Sequence, residues 1–132
     1  MLNSESAQTT ILVVDDEHLI ADTIVAILRQ DGFNATAAYS GAEAVHEATT
    51  VCPDILVSDF AMPEMNGIET AKLVLELCPE VRVFLLSGQA SALDFLAHLE
   101  KQELDFELLS KPIHPQRLIA TLRGESPRAS RQ

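Results

Sequence analysis

Ile11-Leu12-Val13-Val14 runs straight into Asp15-Asp16-Glu17. With Thr10 in front, the unbroken aliphatic run reads as a strand buried on both faces, of the kind found inside a parallel sheet. The same pattern returns twice. Ile55-Leu56-Val57-Ser58 ends on Asp59, and Leu108-Leu109 is followed by Ser110, Lys111 and Pro112. If these runs are neighbouring parallel strands, three carboxylates and one ammonium meet at one edge of a sheet. Two carboxylates ~4 Å apart repel by on the order of 4 kcal/mol at an effective dielectric near 20. Such a cluster calls for positive charge, which a divalent metal and the lysine together supply.

The remaining segments alternate helix and strand. After Glu17, the residues Leu19, Ile20, Thr23, Ile24, Ile27 and Leu28 share a face at helical spacing, and Gly32 marks the stop. Residues 34–39 alternate polar and apolar, as expected at a sheet edge. Ser40 and Glu43 have the spacing of a capping box before a helix with Ala44, Val45 and Ala48 inward. Pro53-Asp54 breaks the chain ahead of the strand at 55–58. Asn66 and Glu69 cap a third helix carrying Ile68, Ala71, Leu75 and Cys78, which Pro79 closes. A strand over 81–86, a loop from Ser87 to Ser91, a helix over 92–102 and a strand over 106–109 follow. Pro115 suits the first turn of a last helix, with Leu118, Ile119 and Leu122 inward and Gly124 at its end. Strand–helix alternation of this kind implies an α/β fold with a parallel sheet covered on both faces. Sites in such sheets form beyond the carboxyl ends of strands, where Asp15, Asp16, Asp59, Ser87 and Lys111 all fall.

Composition narrows the function. The chain has 132 residues, a net charge of −11 and 47% apolar residues, which suits one domain with an aliphatic core. The acidity argues against direct nucleic-acid contact and against an anionic membrane surface. No segment has transmembrane length or the pattern of a signal peptide. Cys52 and Cys78 stand in unrelated contexts, so two free thiols in a reducing cytoplasm are expected. The expected organisation is an arm over 1–9, one domain over 10–123 and a polar tail over 124–132.

Four segments, Ile11 to Glu17, Asp59-Phe60-Ala61-Met62-Pro63-Glu64-Met65-Asn66-Gly67, Leu86-Ser87-Gly88 and Ser110-Lys111-Pro112, together resemble the receiver domain of two-component response regulators. The resemblance implies a doubly wound, flavodoxin-like sheet of five strands in the order 2-1-3-4-5. It implies that Asp59 accepts a phosphoryl group from a histidine kinase or histidine phosphotransfer protein, and that Mg²⁺ is held by Asp15, Asp16, Asp59 and the backbone carbonyl of Ala61. Ser87 matches the hydroxyl that moves toward the phosphoryl group, and Lys111 the lysine that pairs with its oxygens, with Lys111-Pro112 a candidate cis bond. The implied protein is a cytoplasmic, stand-alone phosphorelay component rather than a turnover enzyme. Output is expected through a surface of the helix over 92–102, the strand over 106–109 and the last helix, toward a homodimer or a downstream protein. That helix has two apolar stripes, Leu93, Leu96 and Ala97 against Ala92, Phe95 and Leu99. Leu108 stands where the family usually has an aromatic residue, and Ala61 and Gln89 stand at positions that tune phosphoryl lifetime.

Blander readings compete. Asp15 or Asp16 could simply cap a helix, Ser87 could be turn chemistry, and Lys111 a surface lysine. The four histidines, His18, His46, His98 and His114, lack zinc spacing and read as surface residues. An aspartyl phosphatase of the haloacid dehalogenase kind would need Asp-x-Asp after the first strand, which Asp15-Asp16-Glu17 lacks. An unphosphorylated scaffold of the same fold would not need the full set of acids and lysine.

Overall fold

The computed structural model describes residues 8–88 and 106–124. Their elements are β1 (Thr10–Val14), α1 (His18–Gln30), β2 (Asn34–Ala38), α2 (Gly41–Thr50), β3 (Ile55–Asp59), α3 (Gly67–Leu77), β4 (Arg82–Ser87), β5 (Glu107–Ser110) and α4 (Pro115–Leu122). All strand pairs are parallel and the order is β2-β1-β3-β4-β5, so β2 lies at an edge as its alternating pattern implies. The expected helix over 92–102 with its two stripes, Gln89, the first seven residues and the tail from 125 lie outside the described residues.

Period-2 alternation divides the sheet into two cores. Leu12, Val14, Leu56, Val83 and Leu85 face α2 and α3, where Ala44, Ala48, Ile68, Ala71 and Val74 cover them. Ile11, Val13, Ile55, Val57, Phe84 and Leu86 face α1 and α4, against Ala21, Ile24, Val25, Leu28, Leu118 and Leu122. Each large side chain buried this way contributes roughly 1.5–3 kcal/mol. Arg123 fastens the end of α4 to the end of α1. Its guanidinium donates to the Asp31 carbonyl at 2.7 Å and stands 4.7 Å from the centre of the Phe33 ring.

Several local expectations need correction. The buried face of α1 is Ala21, Ile24, Val25 and Leu28, and Leu19 is 79% exposed. Apolar residues surround most of this helix, so the periodicity allowed two faces, and the small Ala21 takes the side that lies on the sheet. Neither Asp15 nor Asp16 caps α1, whose N-cap is Glu17 without a side-chain bond. The box at α2 is half formed: Ser40 accepts from the Glu43 N–H, while the Glu43 carboxylate accepts from the Tyr39 N–H rather than that of Ser40. At α3 the full box of Asn66 and Glu69 is present. β3, β4 and β5 each run one residue further than their aliphatic stretches, because ladder bonding continues into the polar residue that follows.

The cysteines are not free. Cys52 and Cys78 form a disulfide with Cα atoms 5.6 Å apart. Residues 26 apart in sequence are joined because the connection after α2 and the end of α3 meet in space, a proximity that spacing alone does not reveal. The inference of a reducing compartment drawn from free thiols therefore loses its support. Among the described residues no helix is long and apolar enough to cross a membrane.

Candidate functional site

The carboxyl ends of β1, β3, β4 and β5 bring the candidate residues together. Asp15, directly after β1, is fully buried. Its N–H donates to the Ala38 carbonyl at 3.2 Å, and its Oδ1 accepts from the Glu17 N–H at 2.9 Å. These two bonds hold the carboxylate at the strand end instead of at the helix start. Asp16, beside it, is exposed. Asp59 is the last residue of β3 and only 6% exposed. One carboxylate oxygen from each of Asp15, Asp16 and Asp59 lies within 4.8 Å of the others.

Lys111 reaches this cluster from the end of β5. Its N–H donates to the Ser87 carbonyl at 3.1 Å, and the Lys111-Pro112 peptide is cis. The Nζ atom lies 2.9 Å from Asp59 Oδ1 and 3.8 Å from Asp15 Oδ2. Ser87 ends β4, is buried, and its hydroxyl donates to the Gly88 carbonyl at 3.0 Å. Ala61 is exposed in the loop just beyond Asp59.

Burial dominates the electrostatics. Desolvation, reinforced by the charges of Asp59 and Asp16, pushes the Asp15 carboxyl up to about 6 although the Glu17 N–H and Lys111 pull against it. Desolvation also raises Asp59, with Lys111 opposing through its hydrogen bond and charge. For Lys111 burial works downward, but the bond to Asp59 and the charges of Asp59 and Asp15 win, and the ammonium holds its proton more tightly than usual.

The cluster fits a hard divalent cation. Asp15 Oδ2 is buried and makes no hydrogen bond, and Lys111 at 3.8 Å is too distant to donate to it. An orphaned buried carboxylate oxygen is costly unless something cationic approaches it. Oxygen ligands from few carboxylates, with room for water, suit Mg²⁺.

A family model described as the response regulator receiver domain matches residues 11–123. The chain belongs to this family. The transcriptional regulatory protein CreB of Escherichia coli (strain K12) is 32% identical over 114 residues, covering 86% of this chain and 49% of that protein. The probable transcriptional regulatory protein TcrX of Mycobacterium tuberculosis is 30% identical, covering 94% and 52%. The receiver thus spans about half the length of the curated relatives it matches. Among solved structures, a response regulator receiver domain protein of Clostridium thermocellum superposes with a TM-score of 0.78 at 31% identity, over 92% of this chain and 97% of that one. The chemotaxis protein CheY4 of Vibrio cholerae gives 0.80 at 27% identity, over 89% and 98%. These likenesses make the chain a signalling domain of the response regulator kind.

Three features of this receiver escape the sequence reading. Gly67 opens α3 directly against the site: its N–H donates to the Phe60 carbonyl at 2.8 Å, and a Cβ there would lie 2.4 Å from the Asp59 carbonyl oxygen. A glycine just after a capping residue is the only trace of this in the sequence. His18 is exposed, as expected, but it also stacks on Tyr39 with ring centres 3.8 Å apart, and the Tyr39 hydroxyl donates to Asp22 at 2.6 Å. Finally, Leu19, Ile20, Thr23 and Ile27 on α1, with Lys111, Pro112 and Ile113, line an apolar groove of about 570 Å³ beside the acidic cluster.

Proposed function

We propose that Asp59 is the phosphoacceptor of this receiver. It takes a phosphoryl group from phosphohistidine on a sensor histidine kinase or a histidine phosphotransfer protein, and the added charge switches a protein-interaction surface. The observation that carries this reading is the 2.9 Å contact between Lys111 Nζ and Asp59 Oδ1 within a group of three acids. In the reaction an Asp59 oxygen attacks phosphorus, the P–N bond breaks, and its electron pair leaves with the donor's imidazole. Attack needs the ionised carboxylate, which Lys111 favours against the cost of burial. Lys111 then pairs with the oxygens of the transferred group, and the Ser87 hydroxyl turns from Gly88 to donate to one of them. Asp15, Asp16, Asp59 and the Ala61 carbonyl would hold Mg²⁺. When bound, Mg²⁺ neutralises negative charge on the phosphoryl oxygens, which is most of what phosphoryl transfer requires.

The domain modifies itself and is not a turnover enzyme in this account. The phosphoryl group biases an existing equilibrium between two conformations. A donor protein must come within bonding distance of Asp59, and the apolar groove beside Lys111 offers it a resting place. Output through β5, α4 and the segment over 92–102 is supported by Leu108, which remains 36% exposed on β5. Work with a sensor kinase places the receiver in the cytoplasm.

The test is intact mass after incubation with Mg²⁺ and acetyl phosphate, for the wild type and for Asp59→Asn. A phosphoryl adduct in the wild type alone is the expected result. No adduct, or an equal one in the variant, would refute the assignment.

A further inference from the structure

The disulfide sits at the end of the molecule opposite the acidic cluster. Cys52 precedes β3, whose far end is Asp59, and Cys78 is the C-cap of α3, whose first residue Gly67 leans on Asp59. The two sulfurs differ in access: Cys52 is exposed and Cys78 is 3% exposed. Contact between α2 and α3 extends beyond this bond: among the described residues core clusters line both faces of the sheet, and at the other end of these helices a Cβ on Gly41 would touch Thr70 and Met65, so the two helices also meet closely away from the disulfide. The reduced state is accommodated as well. Cys52 Sγ lies 3.7 Å from the Leu77 carbonyl oxygen and Cys78 Sγ 3.9 Å from that of Ala48, so each thiol would find an acceptor on breaking the bond.

We propose that Cys52 and Cys78 form a redox modification site, a reversible dithiol–disulfide pair that exchanges with low-molecular-weight disulfides and, when oxidised, ties down the C-terminal end of α3. Exposed Cys52, as its thiolate, attacks one sulfur of the small disulfide and releases one small thiolate, leaving a mixed disulfide. Cys78, as its thiolate, then attacks the Cys52 sulfur, closes the protein bond and expels the second small thiolate. Two electrons pass from the protein pair to the small disulfide, and the protons lost by the cysteines are taken up by the released thiolates. Reduction runs the same steps backward, with entry again at the sulfur that solvent reaches. The site is independent of the phosphoacceptor reading, since neither cysteine touches the acidic cluster.

The experiment equilibrates the folded protein in buffers of varied ratio of reduced to oxidised glutathione and traps free thiols by alkylation, with intact mass as readout. With trapping carried to completion in denaturant after equilibration, both cysteines should be alkylated in reducing buffer and neither in oxidising buffer, in one two-electron transition. Amide hydrogen exchange at residues 74–78 should quicken on reduction by about tenfold or more, as local opening is released. Cys52→Ser should slow alkylation of Cys78 by about tenfold or more relative to that of Cys52 in Cys78→Ser, because only the exposed sulfur is open to attack. A bond that survives fully reduced glutathione in the native protein, thiols that titrate separately, or exchange at 74–78 indifferent to redox state would overturn the proposal. Cys52→Ser should still acquire the acetyl phosphate adduct, which keeps this result separate from any failure of the Asp59 assignment.

Discussion

Lys111 Nζ lies 2.9 Å from Asp59 Oδ1, although 52 positions separate the two residues in the chain. The contact joins the ends of β3 and β5, which are not neighbours in the sheet, since β4 runs between them. Lys111 bridges that gap while its backbone N–H remains tied to the Ser87 carbonyl on β4. The ammonium therefore acts at a distance fixed by three strands.

Removal of that ammonium has two expected effects. Lys111→Met should slow phosphorylation by acetyl phosphate about tenfold or more, because one preorganised cation leaves the oxygens on which charge develops. It should also lower fold stability in the absence of metal by on the order of 1 kcal/mol, discounted for the side chain's 30% exposure. Rates followed by intact mass and urea midpoints check both. A wild-type rate in the variant would remove Lys111 from the reaction.

The pH dependence of stability follows from Asp15. Its folded-state pKa of about 6 lies above the ordinary carboxylate value, so between pH 4 and 6 the folded protein holds a proton that the unfolded chain has lost. This group's contribution is therefore retained at low pH and lost as pH rises through about 6, and raised Asp59 works in the same direction. Asp15→Asn removes the penalty. Without metal it should match the wild type near pH 4 and be more stable by on the order of 2 kcal/mol near pH 7. Mg²⁺ should narrow the difference by stabilising the wild type. Urea titrations across this range would contradict the account if the difference stayed constant.

Gly67→Ala tests the seat of α3. The added methyl would lie 2.4 Å from the Asp59 carbonyl oxygen and 2.9 Å from Phe60 Cα, both backbone atoms. Neither can swing aside, so a loss of about 1–3 kcal/mol is expected, together with slower phosphorylation as Asp59 shifts. Thermal unfolding and adduct formation report on each. Unchanged stability would show that the first turn of α3 moves freely.

Leu19→Glu tests the groove. Leu19 is 79% exposed and lies outside the α1 core, so folding and acetyl phosphate labelling should stay as in the wild type. Phosphotransfer from a protein donor should fall about tenfold or more, since a charge would enter an apolar contact. Equal transfer to wild type and variant would place donor docking elsewhere.

The strands and the acidic pocket were legible in the sequence because strands buried on both faces must be continuously apolar. A charged residue at the end of such a run, as at Asp15 and Asp59, has to stand at the sheet's rim, while Lys111 follows the half-buried β5. The packed side of α1 was not legible, because Leu19, Ile20 and Ile27 compete with Ala21, Val25 and Leu28, and hydrophobicity cannot choose between two apolar faces. Sheet geometry chooses, and it leaves the losing stripe as a groove. The Cys52–Cys78 bond was hidden for a different reason. It depends on where the end of α3 lands after a crossover, a long-range relation that carries no local pattern. The hold on Asp15 also lay out of reach, since the Glu17 donor is backbone and any residue but proline there would offer the same N–H.

The central claim is that Asp59 receives the phosphoryl group. Borohydride reduction of the labelled protein, followed by sequencing of the peptides that span positions 10–18 and 55–65, tests it most directly, because reduction of an aspartyl phosphate leaves homoserine. Homoserine at position 59, dependent on Mg²⁺ and on the phosphodonor, is the predicted result. Homoserine at position 15 or 16, or at none of the acids, would contradict it.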